Sequence, residues 1–358
     1  MMNEIFHNLF VLELANNHWG SLARGQQIIK DFAKVVRNNN VKAAIKMQFR
    51  DVEQIIHSSF KKNDKSKNVS DLTLTDRYLQ KTLRTKLNFD EMATMISLIK
   101  RLNCLPMSTP FDEKSVDWCN ELEIPIIKVA SSDINDWILL NKIASTKKPV
   151  IISTGGANEK QIDDVVCFFE NRKIPLAINH CVSKYPSEDH ELELNQIDYL
   201  RNKYPNHVIG FSTHEYHDWE SSMLISYAKG ARTWERHIDI EYSSEDEQKQ
   251  ISSYCSNPEQ IDIWFKAFKK ATNMCGNSSS NRRIIDEKEN NYLLSLHRGL
   301  YLKNDIQKGK IIRLEDLYPA LPLIDKENHL SSRTFIENNY ISSRDLKKDM
   351  PLLKDFIR

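Results

Sequence analysis

Ile209-Gly-Phe-Ser-Thr-His-Glu-Tyr-His217, taken with Trp234-Glu-Arg-His-Ile-Asp239, sets the reading of this chain. Each stretch belongs to a short apolar run, Val208 to Phe211 and Ala231 to Trp234, that gives way to a histidine, His214 or His237. Two imidazoles at the same end of neighbouring strands suit a divalent metal with open coordination positions. Taken alone, either one reads as an ordinary core or surface histidine. The pair gains weight only from what other segments bring to the same level.

Six further apolar runs precede these two: Phe10 to Leu14, Ala43 to Met47, Leu105 to Met107, Ile126 to Ala130, Val150 to Ile152 and Leu176 to Ile178. Helical patterns lie between them, over 24–36, 90–102, 112–122, 137–145, 159–170, 194–202 and 218–228. Strand and helix alternating eight times predict a parallel (β/α)8 TIM barrel, an α/β fold whose strands are short and apolar because both faces are buried. The barrel domain is expected over 1–275.

Length and composition agree with that size. A chain of 358 residues suits a barrel plus a small appendage. Lys and Arg number 50 against 49 Asp and Glu, a balance that argues against nucleic acid or a membrane surface as the main partner. No apolar run is long enough to span a bilayer, and the six cysteines show no paired spacing, so the expectation is a cytoplasmic protein with free thiols.

Barrel chemistry sits at the carboxyl ends of the strands. Those ends carry Glu13 with Asn17 and His18, Lys46 and Gln48, Ser108 and Thr109, Lys128 with Ser131 and Asp133, and Ser153 and Thr154. They continue with His180, Ser183 and Tyr185, then Ser212 and His214, then Glu235 and His237. Two lysines just inside strand ends stand where packing alone would favour apolar residues. Lys128 with Thr109, Ser131, Ser153, Ser183 and Ser212 offers a cation and several hydroxyls to a phosphate or carboxylate. Each serine singly reads as a strand-end cap. Glu13, Lys46, Asp133 and Glu235 are candidate acids and bases around the metal.

A polar connection over 51–75, with the run Lys61-Lys-Asn-Asp-Lys-Ser-Lys67, reads as solvated loop or as a lid. A linker is expected over 276–290. Beyond it, 291–358 reads as a small β-rich module in which Asp305-Ile-Gln-Lys-Gly-Lys-Ile-Ile312 forms a hairpin followed by a short helix at 314–317.

In sequence order, the chain resembles the bacterial sialic acid synthase (N-acetylneuraminate synthase) family over nearly its whole length. The matching stretches are Glu13-Leu-Ala-Asn-Asn-His-Trp-Gly20, Lys46-Met-Gln48, Ser108-Thr-Pro-Phe-Asp112, Lys128-Val-Ala-Ser-Ser-Asp-Ile134 and Ser153-Thr-Gly-Gly156. They continue through His180-Cys-Val-Ser-Lys-Tyr-Pro186, Gly210-Phe-Ser-Thr-His214, Glu235-Arg-His237 and Arg298-Gly-Leu-Tyr-Leu-Lys-Asn-Asp-Ile306. The resemblance implies a TIM barrel followed by an antifreeze-like (SAF) domain. It also implies condensation of phosphoenolpyruvate with the open-chain aldehyde of an N-acetylmannosamine-like sugar, giving a 2-keto-3-deoxy nonulosonic acid and phosphate. By the same resemblance, His214 and His237 hold Mn2+ or Mg2+, and Lys46 and Lys128 with Thr109, Ser131, Ser153, Ser183 and Ser212 cradle phosphoenolpyruvate. Glu13, Lys46, Asp133 and Glu235 are then catalytic, and Asn17, Gln48 and Tyr185 face the sugar. Arg298 reaches it from the partner subunit of a domain-swapped homodimer.

Two departures mark this chain. Thr213 stands where the family usually has Asp before the metal histidine, and the sugar-contacting Pro-Asp-His signature is missing, with Asp246 as a shifted substitute. Two alternatives therefore stay open: the same chemistry on another aldehyde, such as a legionaminic- or pseudaminic-type diacetamido sugar or a shorter sugar, and a non-catalytic sugar-binding homologue.

Overall fold

Leu9–Ala15 (β1), Ala43–Phe49 (β2), Leu105–Pro110 (β3), Ile126–Val129 (β4), Val150–Ser153 (β5), Leu176–Cys181 (β6), Val208–Thr213 (β7) and Thr233–His237 (β8) close in that order into a parallel barrel. The structure is a computed structural model that describes residues 4–60, 73–242, 251–276 and 282–358. The lysine run over 61–67, the candidate substitute Asp246 and residues 277–281 of the linker expected over 276–290 lie outside the described residues.

The helices follow as Leu22–Asn39 (α1), Val52–Ile55 (α2), Leu74–Arg84 (α3), Phe89–Arg101 (α4), Glu113–Glu121 (α5), Trp137–Ser145 (α6), Glu159–Glu170 (α7), Asn195–Lys203 (α8), Ser221–Ala228 (α9) and Pro258–Cys275 (α10). Their starts are written locally. Asn88, Asn158 and Asn257 each accept from the third helical backbone N–H while Glu91, Gln161 or Gln260 reaches back to the cap. All six cysteines are free thiols. No described helix is long and apolar enough to cross a membrane.

Strand side chains alternate between two layers. Leu9, Val11, Ala44, Met107, Ile126, Ile151 and Ala177 pack with Phe6 into an inner cluster. Phe10, Leu12, Ile45, Ile127, Ile152 and Ile178 join the helices in the outer one. The inner residues fill the barrel, so the next inward positions of each strand form the floor of its carboxyl-end mouth.

The first and last strands meet from Leu9 opposite Thr233 to Glu13 opposite His237. Phe10 stacks on Trp234 across this seam, with ring centroids 5.3 Å apart. Arg24 of α1 clamps the same seam. Its Nη2 donates to Asp239 Oδ1 and to the Ile240 carbonyl, both at 2.7 Å, its Nε donates to the Asn17 carbonyl at 2.9 Å, and its Cζ lies 3.7 Å from the centre of the Tyr242 ring.

Contacts divide the chain into Met1–Asn277 and Ser278–Arg358. The second unit opens with helix Glu287–Ser295 (α11), which begins within the stretch expected as a linker. It then forms strands Gly299–Leu302 (β9), Ile311–Ile312 (β10), Leu317–Ala320 (β11) and Tyr340–Ile341 (β12), with helix Ser332–Glu337 (α12) between the last two. β9 pairs with β11 and β10 with β12.

The expected hairpin at 305–312 does not form. Ile306 and Leu346 instead exchange backbone hydrogen bonds, both 2.8 Å, while Asp345 Oδ1 accepts from Lys308 N and Asp305 Oδ1 from Lys348 N, again at 2.8 Å. Asp305-Ile-Gln-Lys-Gly309 and Asp345-Leu-Lys-Lys-Asp349 are two copies of one turn, each capped by the other's aspartate, with Gly309 and Asp349 both at positive φ. The pairing is non-local because each aspartate's best donor lies on the other copy. The stretch expected as a helix at 314–317 is one 3-10 turn, Leu314–Asp316.

Candidate active site

A cavity of 910 Å³ opens at the carboxyl end of the barrel, and every barrel residue singled out above as a site candidate lines it. Arg298 belongs to the second unit, immediately ahead of β9. Four other strand-end residues do not line the cavity. His18 Nδ1 accepts from the Gly20 amide at 3.0 Å, Thr154 Oγ1 donates to the Asn179 carbonyl at 3.4 Å, and His180 Nε2 donates to the Leu192 carbonyl at 2.8 Å. Ser108 and His180 occupy the outward phase of their strands, each one residue off an inward neighbour, Thr109 or Cys181.

The floor of the cavity is a buried charge cluster. Lys46 pairs with Glu13, approaches Glu235 Oε1 at 3.2 Å and donates to Thr109 Oγ1 at 3.0 Å. Lys128 donates to Ser153 Oγ at 2.5 Å and stands 3.7 Å from Glu235 Oε2. Glu235 therefore sits between two ammonium groups. Burial alone would raise its carboxyl, but Lys128 and Lys46 together outweigh burial and hold it below its ordinary value. Glu13 goes the other way. Burial raises it, the Glu235 charge adds to the rise, and Lys46 only partly compensates. Two carboxyls pushed apart in this way divide the roles of proton carrier and fixed anion. Burial also lowers Lys128, whereas for Lys46 the two carboxylates outweigh burial and raise it.

Beside the lysines is a hydroxyl cradle. A Cβ on Gly155 would fall 2.1 Å from Ser183 Oγ and 2.9 Å from Ser131 Oγ, so only a glycine lets these two hydroxyls converge. The Ser212 and Ser131 hydroxyls also approach the buried Cys181 thiol. Burial pushes the Asp133 carboxyl up to about 6, with the Asp136 charge adding to the rise, and its Oδ2 has no hydrogen-bond partner.

The imidazoles of His214 and His237 lie with ring centroids 5.4 Å apart, flanked by Tyr185 and Tyr254. His214 Nδ1 donates to the Val182 carbonyl at 3.0 Å, which fixes the tautomer and leaves Nε2 with its lone pair. His237 Nδ1 is shielded from solvent without a hydrogen-bond partner. Burial holds both rings neutral, His214 at about 4. Neutral rings with a free nitrogen fit a divalent cation. Among the described residues no group of three or more His, Cys, Asp and Glu side chains is arranged to hold a metal, so these two rings would leave most coordination positions open.

Two expectations change in detail. The Asn17 side-chain amide donates to the Ile238 carbonyl at 2.8 Å and so braces the seam while lining the cavity. Thr213 lies on the outward phase of β7 and does not line the cavity, so this departure from the resembling family leaves the mouth untouched. The outer layer there holds a buried ion pair, Arg236 Nη1 to Glu215 Oε1 at 2.7 Å. Sequence reading missed Arg50, Tyr78, Lys81 and Tyr254, all of which line the cavity. Only Arg50 carried a signal: it continues the period-two series Lys46, Gln48.

Fold and mouth together define a TIM-barrel protein built around a carboxyl-end site that carries two buried lysines and two histidines. Residues 38–280 match the NeuB family, and the chain belongs to that family. A crystal structure from Chromobacterium violaceum, described as a spore coat polysaccharide biosynthesis protein E, superposes with a TM-score of 0.87 at 31% identity, covering 98% of this chain and 99% of that one. The chain is 27% identical to a pseudaminic acid synthase of Campylobacter jejuni over 87% of its own length and 86% of the relative's. It is 28% identical to an N,N'-diacetyllegionaminic acid synthase of the same species, over 68% and 71%.

Proposed function

We propose that this chain condenses phosphoenolpyruvate with the open-chain aldehyde of an N-acylated amino sugar to give a 2-keto-3-deoxy nonulosonic acid and inorganic phosphate. The observation that carries the reading is the floor of the mouth: two buried lysines bridged by Glu235, beside converging hydroxyls and two neutral imidazoles. Family membership and the synthase names of the relatives support it.

In this reading Lys128, Lys46 and the hydroxyls of Thr109, Ser131, Ser153, Ser183 and Ser212 neutralise and orient phosphoenolpyruvate. Its C3 bonds to the aldehyde carbon, whose oxygen takes a proton. Water adds to the cation left at C2 and loses a proton, and the C2 hydroxyl so formed gives up its own proton as the C2–O bond to phosphate breaks, leaving the ketone and inorganic phosphate. Glu13, with its raised carboxyl, suits the proton transfers, and Glu235 stays ionised to offset the lysines and the cation developing at C2. Asp133 is a second proton carrier at the rim. His214 and His237 are the residues that would hold Mn2+ or Mg2+, whose chemistry there is Lewis-acid polarisation of the aldehyde oxygen. Gln48, Asn17 and Tyr185 face the acceptor, and Arg298 reaches it from the partner of a domain-swapped homodimer.

The test is phosphate release from phosphoenolpyruvate with Mn2+ and a panel of N-acylated hexosamine aldehydes. Release that needs aldehyde and phosphoenolpyruvate together supports the reading. Release without aldehyde, or none with any aldehyde, overturns it.

A further inference from the structure

The mouth holds a second cationic group that the reaction above leaves unused. Arg50 follows Lys46 and Gln48 at the strand period of two, just past the end of β2. Its guanidinium is fixed on two sides, by a 2.7 Å hydrogen bond from Nη2 to Gln48 Oε1 and by the Phe111 ring, whose centre lies 4.1 Å from Cζ. Its Nε and Nη1 are shielded from solvent with no hydrogen-bond partner, although the residue lines the cavity. Charged donors left unpaired out of water are unfavourable, and a planar fork held in this way matches the paired oxygens of a carboxylate or phosphate.

A second cation comes from α3, which turns Tyr78, Lys81 and Thr82 to the same cavity at helical spacing. Burial lowers the Lys81 ammonium and the Arg50 charge lowers it further, so the two groups feel each other. Among the described residues neither forms an ion pair. Besides Glu13 and Glu235, two carboxylates share the cavity. Asp133 feels the Arg50 charge without pairing to it, and Asp136 Oδ1 accepts from Leu139 N at 3.0 Å to cap α6. By contrast, Lys46 and Lys128 are already balanced by Glu13 and Glu235.

We propose that Arg50, with Lys81 beside it, forms a specificity-determining anion subsite, so that the acceptor aldehyde taken by this mouth carries a carboxylate or a phosphate monoester. The identity of the ligand as an acceptor rests on the synthase reading; the subsite itself rests on the unpartnered Nε and Nη1 of Arg50. Substrate recognition then needs two separate anions in one mouth.

The test uses the full chain with Mn2+ and three acceptors matched in their N-acyl group: a neutral N-acylhexosamine, its 6-phosphate, and the corresponding hexuronate. Wild type should use one of the acidic acceptors with a kcat/KM at least roughly tenfold above the neutral one, and the winning arm tells phosphate from carboxylate. Arg50→Gln should shrink that ratio roughly 10- to 100-fold, the worth of a charge-assisted pair. Arg50→Lys, which keeps charge but loses the fork, should recover only part of it. A wild-type preference for the neutral sugar, while phosphate is still released, overturns the subsite and leaves the synthase reading standing. So does an Arg50→Gln change confined to the KM for phosphoenolpyruvate. If no aldehyde supports release, calorimetric titration of the 6-phosphate and the uronate into wild type and Arg50→Gln still decides: equal affinities overturn the subsite, and a loss of roughly tenfold or more supports it.

Discussion

Replacing Glu235 by Gln removes the one carboxylate that, among the described residues, touches both buried lysines, Lys46 at 3.2 Å and Lys128 at 3.7 Å. At an effective dielectric constant of about 20 those contacts are worth roughly 5 and 4.5 kcal/mol of gross attraction, most of it offset by the desolvation of three charges. What remains after the substitution is a buried ammonium, Lys128, with no carboxylate of the described residues left within ion-pair distance, and losing one partner of such a pair costs about 3–5 kcal/mol. Glu13→Gln should cost less, because burial and the Glu235 charge already work against the charged form of that carboxyl. All six tryptophans lie in the barrel unit, so tryptophan fluorescence excited beyond the tyrosine absorption band follows its unfolding without a contribution from the second unit. Urea titrations of the three proteins at pH 7.5 should rank wild type, Glu13→Gln, then Glu235→Gln, and pH adds a second reading. A carboxyl held below its ordinary value contributes stability above the unfolded value of about 4.3 and loses it as pH falls through the folded value, so the acid-side loss of stability should be smaller in Glu235→Gln. A Glu235→Gln barrel within about 1 kcal/mol of wild type, or less costly than Glu13→Gln, would refute the bridged-lysine account.

Three further outcomes are expected. His214→Ala should weaken Mn2+ binding by more than the roughly 10- to 100-fold typical of losing a ligand's supporting partner, read by calorimetry without substrate; unchanged affinity removes the histidine pair as a metal site. Gly210→Ala would place a Cβ 2.3 Å from Asn179 Oδ1 and 2.5 Å from the Thr233 carbonyl inside the barrel, so the barrel transition should lose about 1–3 kcal/mol or more, and a neutral result would mean the interior is looser than described. His329 Nε2 accepts the Leu300 amide at 2.7 Å and must be neutral to do so, and burial lowers its pKa. A histidine lowered on folding contributes stability above its unfolded value, about 6.5, and loses it as pH falls below that, so the hydrogen-exchange protection factor of Leu300 should drop between pH 7.5 and 5.5. A flat profile contradicts the assignment.

The barrel was legible because strands buried on both faces leave uninterrupted apolar runs, and the polar residue ending each run points to the mouth. Phase was the weak point. Reading Ser108 with Thr109, or His180 beside the true inward residue Cys181, treats both faces of a strand as one, although a count of two from Lys46 or Ser153 separates them. The same count reaches Arg50. Lys81 and Tyr78 carried no such signal, since a helix that follows no strand end directly joins the cavity only through tertiary packing. Asp305 and Asp345 show the opposite error: a turn motif looked self-sufficient, while its hydrogen-bond partner was a second copy 40 residues away.

The Arg24 clamp has a consequence for synthesis. Its carboxylate partner lies 215 positions downstream, so the helix that carries the arginine is made long before the group it must grip. A nascent chain on the ribosome therefore keeps the edges of its first seven strands unjoined until the eighth has emerged. Any slow stretch of translation after Thr213 prolongs the interval in which an open sheet edge can pair with the wrong partner.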